Sequence, residues 1–207
     1  MNKNSLDNTT EKINLVIFAS GNGTNAEALM ERFKRHKLIQ VSGVVTNNPE
    51  AGVIRKAKAY GKKTIILTPE EVKDGNAIYE RIKEFKPDYL VLAGYIKLIP
   101  AELIQKFPKR IFNIHPSLLP KYGGKGMYGH RVHEAVKANR EKESGITIHY
   151  VNENYDEGEI IFQKVKRLDQ SWSAEIIGRE ILLLEHEWYG KIIEKTIMSH
   201  ISQNAQQ

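Results

Sequence analysis

The chain has 207 residues, of which 41% are apolar and 27% charged, the balance of one domain large enough to bury a sizeable core. It has no cysteine, which excludes a disulfide framework, a thiolate nucleophile and a cysteine-bound metal, and no apolar run approaches the roughly 18 residues of a membrane span. A net charge of +6 favours anionic ligands, but no aromatic platform or nucleic-acid motif accompanies the basic residues, so small molecules rather than nucleic acid or membrane are the expected partners.

Residues 1–12 are polar, lack the apolar segment of a signal peptide, and read as a disordered leader of a cytoplasmic chain. Ile13 to Ser20 is a nearly continuous apolar strand, of the kind buried on both faces in a parallel sheet. Gly21-Asn22-Gly23-Thr24-Asn25 then feeds a helix with Ala28, Leu29 and Phe33 at helical spacing, whose end carries the basic run Arg32 to Lys37. Val41–Thr46 is a second strand and Gly52–Tyr60 a second helix, closed by Gly61. Thr64–Leu67 is a short strand, Asn76–Phe85 a third helix, Tyr89–Gly94 another two-sided apolar strand, and Pro100–Phe107 a short helix. Ile111–His115 is the next strand, stopped by Pro116. Strands alternating with helices imply parallel βαβ units.

After residue 117 the pattern changes. A glycine-rich loop leads to a helix over His130–Arg140, and strands over Gly145–Val151 and Glu159–Val165 are close enough in sequence to pair antiparallel. A long helix over Ala174–Thr196 and a polar tail from 198 complete the chain. The expected fold class is α/β: a Rossmann-like three-layer domain over 13–197, with a mostly parallel mixed sheet and a late antiparallel strand pair.

Three stretches carry chemistry. In Ile111–His115, Asn113 and His115 are two apart, so both side chains leave a strand on one face just where the strand stops. Open α/β sheets bind ligands at such strand ends. Histidine is the commonest general acid or base near neutral pH. An amide N–H beside it can stabilise an oxyanion, an interaction whose removal costs roughly 3 kcal/mol elsewhere. The plainer reading is a satisfied core histidine beside a turn-capping asparagine. A working histidine needs a carboxylate to hold its tautomer, and the loop Asn152-Glu153-Asn154-Tyr155-Asp156-Glu157-Gly158 offers several. The glycine turn at 21–25 brings backbone N–H groups to a helix N-terminus, where phosphate fits. It lacks the P-loop lysine. Its Gly-x-Gly-x-x-Ala spacing keeps a nicotinamide-binding domain in play, although Asn47 and Asn48 stand where that domain needs an acid. No histidine spacing matches a zinc site, so no metal is expected, and no G-x-S-x-G elbow surrounds Ser117.

Together these stretches resemble the folate-dependent glycinamide ribonucleotide formyltransferases. The resemblance rests on S-G-N-G-T-N, L-A-G-Y, N-I-H-P-S-L-L-P and Y-D-E-G, and covers about Ile13 to Ile193. The Asn-x-His-Pro-Ser-x-Leu-Pro pattern is shared by several 10-formyltetrahydrofolate enzymes, and the glycine loop narrows the choice to the glycinamide ribonucleotide member. The resemblance implies formyl transfer from 10-formyltetrahydrofolate, as co-substrate, to the amine of phosphoribosylglycinamide in purine synthesis, by a monomer or homodimer. It assigns catalysis to Asn113, His115 and Asp156, with Asp156 raising the pKa of the histidine. It assigns the phosphate and the rest of that substrate to Gly23, Thr24, Asn25, Leu182 and Glu185. Folate falls to Asn76, Ile96, Lys97, Leu98, Ile99, Asn113, and the loop Asn152, Glu153, Asn154, Tyr155 and Asp156.

Three departures stand out. Lys97 and Asn76 replace basic residues of other members, and a planar bidentate contact is lost at Lys97. The loop Gly123 to Gly129 is longer than in many members and offers Lys125 to an anion. Rival readings are a hydrolase or tRNA formyltransferase of the same cofactor, each expected to need a further domain, and a non-catalytic nucleotide-binding Rossmann module. The last leaves Asn113 and His115 unexplained.

Overall fold

The computed structural model describes residues 11–204, so residues 1–10 of the expected leader and the last three residues of the tail lie outside the described residues. Five strands alternate with four helices: β1 (Ile13–Phe18), α1 (Thr24–Phe33), β2 (Ile39–Thr46), α2 (Gly52–Ala59), β3 (Thr64–Ile66), α3 (Gly75–Ile82), β4 (Tyr89–Leu92), α4 (Ala101–Lys106) and β5 (Ile111–His115). Then come α5 (His130–Ala138), β6 (Glu143–Tyr150), β7 (Ile160–Arg167) and α6 (Ala174–Asn204). The seven strands form one sheet in the order β3-β2-β1-β4-β5-β6-β7. The first five run parallel, while β6 and β7 are antiparallel, as the sequence pattern predicts.

The apolar runs divide between two layers because alternate side chains leave opposite faces. Leu15 and Ile17 join a core with α1, α5 and α6, including Phe33, Val132 and Ile181. Val16 and Phe18 join another with α3 and α4, including Ile78, Ile82 and Leu103. Within β2 the register slips opposite Leu15 and Val16, and Gly43 lies under the Phe85 ring, where a Cβ would come within 2.4 Å of the ring.

The expected helix end at Thr196 is corrected: α6 continues to Asn204. His200 provides one reason. Its Nδ1 lies 3.1 Å from the Tyr89 hydroxyl and its Nε2 3.0 Å from that of Tyr150, so the last turns are tied to β4 and β6. The inner side of α6 is a stripe spaced by four: Ile177, Ile181, Glu185, Tyr189, Ile193 and Ile197, all buried. One member of that stripe is a carboxylate.

The sheet order reverses at β1, since β2 and β3 lie to one side of it and β4 and β5 to the other. The carboxyl ends of β1, β4 and β5 therefore open a crevice at a topological switch point, the usual binding position in such sheets.

Candidate active site

The loop after β1 is built for close approach. Gly23 has φ of 70°, and a Cβ there would sit 2.5 Å from Val53 of α2, so only glycine fits. Ser20 Oγ donates to Asn47 Oδ1 at 2.6 Å and accepts from the Ile96 N–H at 3.1 Å, tying the ends of β1 and β2 to the loop after β4. Asn47, where a dinucleotide domain needs an acid, is thus a partner of Ser20. Among the described residues no side chain caps α1, which leaves first-turn N–H groups facing outward.

The crevice is a cavity of about 560 Å³, well within the range of small-molecule sites. Asn113 and His115 lie on its wall with Asp156, as do Ile96, Lys97, Leu98, Ile99, Asn154, Tyr155, Asn25, Leu182 and Glu185. Gly23, Thr24, Asn152 and Glu153 are not on that wall. Asn152 instead accepts the Asn154 N–H at 3.1 Å. Asn76 lines neither this cavity nor the adjoining one of about 500 Å³ and occupies the exposed first turn of α3, its N–H bonded to Asp74. The adjoining cavity shares Lys97, Leu98 and Tyr155 with the first and adds Lys73.

Asp156 reaches His115 directly, with Oδ2 3.4 Å from Nδ1. The same oxygen accepts the Gly124 N–H at 2.9 Å, which gives the long glycine loop a place in the site. The other ring nitrogen of His115, Nε2, lies 2.7 Å from the Tyr122 carbonyl. His115 is only 4% exposed. Burial pulls its pKa below the ordinary histidine value, against Asp156 and the Tyr122 carbonyl, which raise it. The carboxylate thus acts in the expected direction, and desolvation outweighs it. Burial pushes the Asp156 carboxyl up, but the nearby His149 and His115 rings and the Gly124 N–H together hold it below the usual carboxylate value. It is ionised at neutral pH.

His149 is the residue the sequence reading missed. It faces Asn113 across the β5–β6 ladder. Its Nδ1 lies 2.8 Å from the Tyr150 carbonyl and so donates, leaving Nε2 to accept from Asn113 Nδ2 at 3.0 Å. The other amide hydrogen of Asn113 points to Asp156 Oδ1 at 3.3 Å. The signal was available, because His149 interrupts an apolar strand just as Asn113 and His115 do. His133, in α5, is a further histidine that the sequence pattern left unassigned. It is buried on the cavity wall with Nδ1 unpartnered, and burial, with His130 and His115 nearby, lowers it to about 4.

At the opposite end, Asn25 Nδ2 donates to Glu185 Oε2 at 2.8 Å, and Asn25 Oδ1 is buried without a partner among the described residues. Burial raises Glu185 to about 7, and the Asn25 bond only partly offsets it. The cavity therefore has a charged corner at Asn113, His115 and Asp156, apolar side chains at Ile96, Leu98 and Ile99, and a polar end at Asn25 and Glu185.

Comparison with known proteins agrees with this geometry. A family model described as formyl transferase matches residues 13–193. A Bacillus subtilis (strain 168) protein named phosphoribosylglycinamide formyltransferase is 36% identical over 170 residues, covering 80% of this chain and 85% of its own length. A chloroplastic protein of that name from Vigna unguiculata is 40% identical over 180 residues, covering 84% of this chain and 57% of its own. A similar plant protein from Arabidopsis thaliana is covered over 60%, so the chain spans less than two thirds of these plant relatives. The crystal structure of phosphoribosylglycinamide formyltransferase from Bacillus halodurans superposes with a TM-score of 0.80 at 33% identity, covering 89% of this chain and 95% of that one. No helix among the described residues is long and apolar enough to cross a membrane. A polar corner at the switch point, on a fold shared along nearly the whole chain with proteins of one name, leads to one conclusion: the chain belongs to the formyl transferase family.

Proposed function

We propose that this protein transfers the formyl group of 10-formyltetrahydrofolate to the amine of phosphoribosylglycinamide. The observation that carries the reading is the contact of Asp156 with both Asn113 and His115 on the wall of a cavity that has a polar end and apolar side chains at Ile96, Leu98 and Ile99. In this reading Asn25 and Glu185 hold the glycinamide ribonucleotide, its phosphate lying at the rim over Gly23 and Thr24 where α1 begins. Ile96, Lys97, Leu98 and Ile99, with Asn154 and Tyr155, face the folate.

The neutral amine attacks the formyl carbon and a tetrahedral oxyanion forms. Asn113 Nδ2–H exchanges its 3.3 Å bond to Asp156 for one to that oxygen, while His149 holds the other hydrogen and so fixes the amide plane. His115 in its protonated form, the minority form at neutral pH, adds positive charge beside the oxyanion, and Asp156 offsets part of the cost of that charge in a buried place. The proton lost by the amine passes to the departing folate nitrogen, with His115 as shuttle. No residue needs to carry the formyl group. The test is a steady-state assay of 10-formyltetrahydrofolate with and without the acceptor. Deformylation that requires the acceptor supports the proposal. Formate released without it indicates a hydrolase, and tight nicotinamide-nucleotide binding with no turnover indicates a binding module.

A further inference from the structure

We propose that Tyr122 is the positioning residue of His115: its backbone carbonyl pins the hydrogen on Nε2, so that Nδ1 alone exchanges protons during the reaction. The inference rests on the catalytic role proposed above for His115, and the geometry is its basis. A carbonyl only accepts, so a nitrogen 2.7 Å from it carries hydrogen in both protonation states of the ring. Nδ1 then titrates on the side where Asp156 Oδ2 lies 3.4 Å away. The titratable groups that face this ring are Asp156 from the loop between β6 and β7, His149 from β6 and His133 from α5.

The carbonyl reaches Nε2 because Tyr122 holds a left-handed conformation, φ 58°, which non-glycine residues rarely adopt. Its own side chain maintains that turn. The hydroxyl donates to Glu141 Oε1 at 3.0 Å and accepts from Asn139 Nδ2 at 3.0 Å, both just beyond α5. Lys121 also bonds Glu141 Oε1 at 3.0 Å, and its carbonyl accepts from Ser117 Oγ at 2.6 Å. A surface cluster at Asn139 and Glu141 thereby sets the tautomer of a buried histidine. A hydrogen placed on Nδ1 instead would leave Nε2 with its lone pair against a carbonyl, which is why the anchor acts on the chemistry rather than on stability alone.

The test combines ¹⁵N-histidine NMR of the full chain with kinetics of Tyr122→Phe, which keeps the ring and removes both hydroxyl bonds. The His115 signals are assigned by their loss in His115→Gln. In the wild type the neutral ring should be the Nε2–H tautomer. In Tyr122→Phe the tautomers should mix, kcat should fall by at least about tenfold with KM for both substrates held, and the high-pH limb of kcat should move to lower pH. Glu141→Gln keeps an acceptor and should behave as wild type, whereas Glu141→Ala should follow Tyr122→Phe and stands in for it if that variant fails to fold. An Nδ1–H tautomer in the wild type overturns the inference, as does a folded Tyr122→Phe or Glu141→Ala enzyme with unchanged tautomer and pH profile. Full activity in His115→Ala overturns instead the catalytic assignment, whatever the tautomer.

Discussion

Glu185→Gln should make this protein more stable and less able to bind its acceptor. Glu185 sits in a stripe of α6 whose other members are isoleucines and a tyrosine, and among the described residues only the Asn25 amide bonds it. Its carboxyl titrates at about 7 instead of 4.5 because burial disfavours the charge. That displacement is worth roughly 3 kcal/mol. The sign follows from proton counting. Between about 4.5 and 7 the folded state binds more protons than the unfolded chain, so stability falls as pH rises through that window, and the whole cost is present above it. Glutamine has the same shape, stays neutral, retains an acceptor for Asn25 Nδ2 and brings an N–H toward the unpartnered Asn25 Oδ1. The two proteins should match near pH 4.5, and at pH 8 the variant should be more stable by up to about 3 kcal/mol, or roughly 6–12 °C in Tm for a chain of this size. Urea unfolding at pH 5, 6.5 and 8 measures the difference. A gap independent of pH, or a less stable variant at pH 8, refutes the burial argument. Weaker acceptor binding in the same variant would show the stability given up for the site.

Other expected outcomes follow from single contacts. His115→Ala should lose about 10²-fold or more in kcat while isothermal titration still detects both substrates. Asp156→Asn removes the charge that raises His115, so the high-pH limb of kcat should shift to lower pH, which a pH–rate series reads directly. His149→Leu frees one hydrogen of the Asn113 amide and should lower kcat more than it raises KM. His200→Ala breaks two bonds to tyrosine hydroxyls, each worth about 1 kcal/mol, and should speed hydrogen exchange in the last turns of α6 while leaving turnover unchanged.

Local chemistry made much of this legible beforehand. Apolar runs buried on both faces gave the parallel strands, and the two-residue spacing of Asn113 and His115 placed them together at a strand end. The same alternation in β6 would have exposed His149 directly across from Asn113, had it been applied there. What stayed hidden lies where a backbone group acts. The Tyr122 carbonyl and the Gly124 N–H leave no mark in side-chain identity, yet they hold His115 and Asp156. Asn76 came by analogy alone, and its side chain stands exposed on α3 outside both cavities. Polar composition suggested a tail where His200 in fact bonds two tyrosines. The net lowering of His115 depends on how deeply the ring is buried, which spacing does not report.

The most direct test of the account follows a ¹³C-formyl label from 10-formyltetrahydrofolate in a single turnover with phosphoribosylglycinamide, observed by ¹³C NMR. Direct transfer at the corner of Asn113, His115 and Asp156 predicts that the label moves to the glycinamide nitrogen, with no formate and no protein-bound signal. Label appearing as free formate, or staying on the folate when both substrates are bound, would contradict it.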